Sequence, residues 1–177
     1  MLYEHKGVQI LPEVISQLYQ RGLRFHFTFI GEGVLRATLE QSLTDLMDKD
    51  LVEFSGRISA QEVYQRLSKT DIFVYPTHLD AFGLVIAEAM INGAVPVVTL
   101  LSGVTDTIVD DGVNGYLIKQ DDINTFVERI SMLCQDGTLR KEMSKAASEK
   151  SAVCFSVETM KTNYLNYLKS LLNNNAR

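Results

Sequence analysis

The sequence predicts an α/β domain: a doubly wound, Rossmann-like parallel sheet of about five strands with helices on both faces. Three observations predict it. Short apolar runs bounded by Gly or Pro alternate along the chain with stretches of helical apolar period. Those short runs are nearly all apolar, as strands buried on both faces must be. The chain has 177 residues, 46% of them hydrophobic and 22% charged, which suits one soluble domain with a sizeable core.

The elements follow in order. "VQILPEVISQLYQRG" places Val8, Ile10, Leu11, Val14, Ile15 and Leu18 at helical spacing and ends near Gly22. "LRFHFTFIGEG" reads as an aromatic-rich strand of about six residues ending at Gly31. A helix is expected from about Val34 to Met47, then a short strand in "LVEFSGRI". "SAQEVYQRLSKT" opens a helix with Ser59 as N-cap and Glu62 three positions later, a capping box. "DIFVYP" is a third strand, stopped by Pro76. A helix from about Phe82 to Ile91 leads to a fourth strand, "AVPVVTL". "GVTDTIVDDG" reads as a short helix and turn, and "GYLIK" as the fifth strand. Helices over about Ile123 to Cys134, Thr138 to Lys150 and Val157 to Leu172 close the domain. The polar "NNNAR" after residue 172 reads as a frayed tail. Right-handed crossovers then put the ligand beyond the carboxyl ends of the strands, which carry Gly31–Gly33, Gly56–Arg57, Pro76 to Ala81 and Ser102–Gly103.

Composition excludes several classes. A net charge of −5 with scattered Lys and Arg leaves no basic patch for nucleic acid, and "RKEMSK" is diluted by Glu142. Cys134 and Cys154 have no CxxC or His partner, so they read as free buried thiols of a cytoplasmic protein. "MLYEHKGVQ" lacks the apolar segment of a signal peptide. The most apolar run, Phe82 to Val104, is interrupted by Glu88, Asn92, Gly93 and Pro96, too often to span a membrane.

Two stretches could carry chemistry. "FIGEGVLR" has the strand–turn–helix setting of a phosphate loop, but Arg36 stands where the dinucleotide fingerprint needs its third glycine. Gly31 and Gly33 therefore suit a ligand-facing loop or a plain tight turn. "YPTHLDAFGLVIAEAMINGAVPVV" places Asp80 ahead of an apolar helix and Glu88 inside it, with Phe82–Gly83 between. Free amides and the helix dipole favour an anion there, and carboxylates beside it accept hydrogen bonds from sugar hydroxyls. A nucleotide sugar offers hexose, diphosphate and ribose in that pattern. Spacing alone leaves a second reading open, with Asp80 as a cap and Glu88 solvated.

That stretch resembles the signature of the group one (family four) retaining glycosyltransferases, which have the two-domain GT-B fold. The signature runs Pro-Ser, an acidic residue, Gly-Phe-Gly, seven residues to a Glu, then Ala-Met and a Gly before Pro-Val-Val. The similarity extends through "HKG", "FTFIGEG", "VEFSGRIS", "TDIFVYP", "SGVTDTIVDDGVNGYLI" and "FSVETMKTNYLNYL", nearly the whole chain. The resemblance implies that Glu88 holds the donor ribose and that Asp80 contacts the transferred sugar. It implies that Phe82, Gly83, Leu84 and Val85 offer backbone amides to the sugar and distal phosphate. Lys6, by itself a solvated charge, matches the lysine that neutralises the diphosphate, and Arg57 and Ile58 match the region near the base. Departures are Asp80 for the usual Glu, Ala81 for the usual Gly, and no Arg ahead of Lys6.

The resemblance thus implies a donor-binding domain over residues 1–172, with Lys6, Asp80 and Glu88 as catalytic residues and the amino-terminal acceptor domain absent. It implies hexose transfer with retention from a UDP- or GDP-linked sugar, with no cofactor or metal, in polysaccharide or glycolipid synthesis of a bacterial cell surface. A sugar or glycolipid acceptor, and any peripheral membrane contact, would belong to the absent domain, and the isolated domain would be inactive. The family's central strand, between "FHFTFI" and "DIFVYP", lies ahead of residue 1, so the isolated chain is expected to self-associate. Rival readings are a non-catalytic nucleotide-sugar-binding or assembly module, or another GT-B enzyme such as a sugar-nucleotide epimerase.

Overall fold

A computed structural model describes residues 2–174. The strands are the runs richest in β-branched and aromatic residues. They are β1 (Phe27–Ile30), β2 (Val52–Gly56), β3 (Ile72–Tyr75), β4 (Val95–Thr99) and β5 (Tyr116–Ile118). All ladders are parallel: Phe27 pairs with Val52, Ile72 with Val95 and Val97 with Tyr116.

Helices fill the intervals. Two 3-10 turns, Glu4–Lys6 and Val8–Ile10, lead into α1 (Leu11–Gln20). The apolar stretch expected as one helix from Val34 to Met47 is two, α2 (Arg36–Ser42) and α3 (Thr44–Met47), broken at the non-helical Leu43. Thr44 turns its hydroxyl onto the Glu40 and Gln41 carbonyls at 3.1 Å, competing with the helical ladder at the break. Next come α4 (Ala60–Leu67), α5 (Leu84–Ile91), α6 (Thr105–Ile108), α7 (Ile123–Gln135), α8 (Gly137–Cys154) and α9 (Val157–Asn174). Ser59 and Glu62 form the expected capping box on α4. The α8 helix runs a turn past Lys150, and α9 continues to Asn174; the rest of "NNNAR", 175–177, lies outside the described residues.

The central strand β4 is buried at every position, and its side chains alternate between two cores. Val95 and Val97 pack with Val14 and Leu18 of α1 and with Phe126, Val127 and Ile130 of α7. Val98 packs on the other face with Ile86 and Met90 of α5 and Ala147 of α8. A further core joins Leu11 and Ile15 to Phe29, Val52 and the Leu39, Leu43 and Leu46 of α2–α3. Helices therefore cover both faces, as predicted.

The strands form two sheets, β1–β2 and β3–β4–β5, where one was predicted. Between the facing edges of β1 and β3 runs a slot of about 770 Å³, lined by Phe27, Phe29, Ile72 and Val74 and by Leu11 and Leu18. The break falls where the family resemblance places a further strand. Neither edge has a ladder partner among the described residues.

The thiols also differ from expectation: Cys134 is half-buried, and its pKa is pushed up by burial, while Cys154 is exposed. No helix among the described residues is long and apolar enough to cross a membrane.

Candidate functional site

The site is assembled at the carboxyl end of β3, and a glycine makes it possible. Gly7 has φ 65°, and a Cβ there would lie 1.7 Å from the Pro76 carbonyl oxygen. Only glycine lets the amino-terminal turn lie against the end of β3. The amides of His78 and Leu79 then donate to the His5 carbonyl at 3.0 and 3.2 Å. The buried Thr77 hydroxyl donates to the same carbonyl at 3.2 Å. This stitching brings Lys6 to Asp80, 74 positions away in sequence.

Lys6 Nζ donates to Asp80 Oδ2 at 2.9 Å, to Tyr75 Oη at 3.0 Å and to the Leu79 carbonyl at 3.3 Å. Tyr75 Oη in turn donates to Asp80 Oδ2 at 2.5 Å. The other carboxylate oxygen, Oδ1, accepts from the amides of Phe82 and Gly83 at 3.1 and 2.8 Å. Asp80 thus holds the turn that leads into α5, ahead of its N-cap Gly83, and is the partner of Lys6 at once. The carboxylate's side-chain exposure is only 17%. Burial pushes its pKa up, but bonds from Tyr75, Lys6, Gly83 and Phe82 outweigh that and hold it well below the usual carboxylate range. Burial lowers the pKa of Lys6, and its bonds to Tyr75 and Asp80 raise it by more.

Gly83, at φ 75°, is the left-handed residue from which α5 starts. The Phe82 and Gly83 amides are taken by Asp80, so Leu84 and Val85 supply the first-turn amides without an intrahelical acceptor. Glu88 is half-buried in the middle of α5. Its carbonyl accepts from Asn92 Nδ2 at 2.8 Å, and its carboxylate has no hydrogen-bond or ion-pair partner among the described residues.

The other candidates line the neighbouring strand ends. Gly31 donates its amide to the Gly56 carbonyl at 2.8 Å, across the bulged end of the β1–β2 ladder. Gly33 lies under the backbone of Leu2, whose carbonyl oxygen would be 2.1 Å from an added Cβ. Arg36, which breaks the fingerprint, pairs with Glu32 and Glu40. Arg57 is exposed and Ile58 half-buried directly after β2. Sequence reasoning missed Tyr75. Its signal was a tyrosine at the last position of a strand facing the ligand end, immediately before Pro76. No group of three or more His, Cys, Asp and Glu side chains could hold a metal among the described residues.

Comparison with known proteins places this chain in a family. Residues 1–150 match the model of the glycosyl transferases group 1. The sulfoquinovosyl transferase SQD2 of Arabidopsis thaliana is 29% identical over 148 residues, 82% of this chain and 28% of its own length. The Anabaena protein Alr3699/HepE, solved in complex with UDP and glucose, superposes with a TM-score of 0.81 at 22% identity, covering 96% of this chain and 46% of that one. The C-terminal domain of LpcC from Francisella tularensis, a glycosyl transferase group 1 family protein, superposes with a TM-score of 0.79 at 24% identity. That match covers 88% of this chain and 83% of the other. The structural likenesses establish the fold, a half of GT-B. This chain spans less than half of SQD2 and of HepE.

Proposed function

Because this chain belongs to the group 1 glycosyltransferases, we propose that it is the donor-binding domain of one, and that it holds a UDP- or GDP-linked sugar. The observation that carries the reading is Lys6, delivered across the fold to the first turn of α5 beside Asp80. A cation and two free amides at a helix start suit a diphosphate. Glu88, whose carboxylate has no partner among the described residues, is the acceptor for ribose hydroxyls, and Asp80 faces the sugar. Arg57 and Ile58 approach the base, and Gly31 and Gly33 shape the loop beside it.

In the whole protein an acceptor hydroxyl attacks the anomeric carbon on the face from which the diphosphate leaves, so the configuration is retained. Lys6 and the Leu84 and Val85 amides stabilise the charge that develops on the leaving phosphate. The acceptor is a sugar or glycolipid of a cell-surface polymer, a reading supported by relatives named for colanic acid, lipopolysaccharide core and amylovoran biosynthesis, and it binds through another domain. Membrane contact, if the acceptor demands it, is made there as well. The 177-residue chain alone binds donor in the cytoplasm without turning it over.

A thermal-shift panel of UDP, GDP, UDP-glucose and GDP-mannose tests the reading, on this chain and on the full-length protein. One base is expected to raise the melting temperature, since ligand at 100 times Kd adds about 2.7 kcal/mol. No shift with any of the four rejects it. One observation favours the binding-module alternative: Asp80 already accepts four hydrogen bonds and has no lone pair left for a sugar. Nucleotide binding with no transfer by the full-length protein would select that alternative.

A further inference from the structure

An ammonium group has three protons, and in this structure protein acceptors take all three of Lys6's: Asp80 Oδ2, Tyr75 Oη and the Leu79 carbonyl. A phosphate oxygen can reach Lys6 only by displacing one of them. Asp80 is the acceptor to be displaced, because phosphate and carboxylate compete for the same cation on the same helix start. Displacement strips the counter-charge from a carboxylate that is largely withdrawn from water. A buried charge left without compensation is costly, so the remaining donors decide whether Lys6 can move at all.

Those donors are the Phe82 and Gly83 amides, 3.1 and 2.8 Å from Oδ1, and the Tyr75 hydroxyl, 2.5 Å from Oδ2. The amides serve the other oxygen. Tyr75 alone shares Oδ2 with Lys6. We propose that Tyr75 is a positioning residue of the donor site: its hydroxyl holds Asp80 Oδ2 in place while Lys6 exchanges that oxygen for a phosphate of the donor. The inference rests on the donor-site reading above.

The surroundings fit this role. Tyr75 closes β3 just ahead of Pro76, and its ring stacks on Phe73 with centroids 5.8 Å apart, so the hydroxyl is aimed by a fixed strand. Burial and the bond to Asp80 raise the phenol pKa against the opposing effect of Lys6, which keeps the proton on Tyr75. The Lys6 ammonium also lies 5.5 Å from the Tyr75 ring centroid, so the departing cation leaves an aromatic face as well as a carboxylate.

Two measurements on this chain test it. The first needs no ligand: the Asp80 carboxyl is titrated by carbon-detected NMR in the wild type and in Tyr75→Phe. Lys6 and Tyr75 are the titratable groups bonded to that carboxylate. Loss of the hydroxyl is expected to move the Asp80 midpoint up toward the ordinary carboxylate range, and an unmoved midpoint overturns the proposal. The second is calorimetric titration with UDP and with GDP. Tyr75→Phe is expected to weaken whichever nucleotide binds by about tenfold, the lower end for a charged hydrogen bond. The same change made in Asp80→Asn is expected to cost less than about twofold, since the two residues act as one unit. A full tenfold loss in the Asp80→Asn background means that Tyr75 acts through packing, and the proposal fails. If neither nucleotide binds the wild type, the donor-site reading falls with this role, while the carboxyl titration still decides whether Tyr75 holds Asp80.

Discussion

Asp80 lies ahead of α5 and Glu88 in its middle, and the circumstances of the two carboxyl groups are opposite. Among the described residues Asp80 is bound on both oxygens, and Glu88 on neither. Glu88→Gln therefore removes an acceptor that has only a ligand to serve, and is expected to weaken UDP or GDP binding by about tenfold or more. Asp80→Asn also releases Lys6 from its competitor, so its net loss is expected to be smaller. Equal losses in calorimetry, or a larger one at Asp80, would exchange the two roles. Lys6→Ala is expected to weaken the diphosphate but leave uridine or guanosine nearly unaffected, and the difference should shrink as salt is added. Acid stability reports the same network. A carboxylate with a depressed native pKa contributes stability that is fully present above its unfolded value, near about 3.9, and is lost as pH falls below it. The stability gap between wild type and Asp80→Asn, followed by denaturant melts, is thus expected to be constant from neutral pH to about pH 5 and to narrow below about pH 4. A gap independent of pH would mean that Asp80 contributes as a neutral cap. Lys6, Asp80 and Glu88 could be singled out as candidates because they sit in ordered motifs. Tyr75 could not, because an aromatic at the end of an apolar strand has the same signature whether it packs or donates a hydrogen bond.

Among the elements, those with a local chemical signal were read well from the sequence. Ser59 and Glu62 announce the start of α4, and both reciprocal bonds are present, at 3.3 and 2.8 Å. Ser59→Ala is expected to lower stability by about 1 kcal/mol, read as a shift in denaturant midpoint with unchanged slope. The α2–α3 break carried no such signal. Leu39, Leu43 and Leu46 keep helical spacing across it and are all buried, so the apolar pattern continues where the hydrogen bonding does not. Gly7 is the element-scale link between fold and site. Its carbonyl and that of Glu4 anchor the paired 3-10 turns, and its missing Cβ admits Pro76. Gly7→Ala is expected to push the amino-terminal turn away from β3 and to carry Lys6 with it. Nucleotide affinity is then expected to fall at least as far as in Lys6→Ala, with some loss of melting temperature. Wild-type affinity in Gly7→Ala would show that Lys6 reaches the ligand by another route.

At the scale of the molecule, the unmet interactions are concentrated in two places. The first is the slot of about 770 Å³, whose walls are the facing edges of β1 and β3. In a doubly wound domain these strands sit near the middle of the sheet, yet they are mostly half-buried, whereas β4 is buried throughout. Unpaired parallel edges with aromatic and β-branched neighbours are a template for an added strand. Local patterning along the chain could show that each strand exists, but not that β1 and β3 each keep an edge with no ladder partner among the described residues, since pairing depends on what lies between them in space. The second place is α9, where Val157, Met160, Tyr164, Leu165, Tyr167, Leu168, Leu171 and Leu172 all remain exposed. An apolar stripe of this kind is stabilised on burial by about 25 cal/mol per Å². The isolated chain is therefore expected to associate with itself, through strand addition at the slot, through α9, or through both. Light scattering coupled to size exclusion over a concentration series checks this, and the mass is expected to rise with concentration. Replacing Leu165, Leu168 and Leu172 with Glu separates the routes: a monomer assigns association to α9, and persistent oligomers assign it to the slot. A single monomer mass for the unmodified chain at high concentration would mean that both surfaces are covered within one copy, by a closure of the slot and a return of α9 onto its own domain.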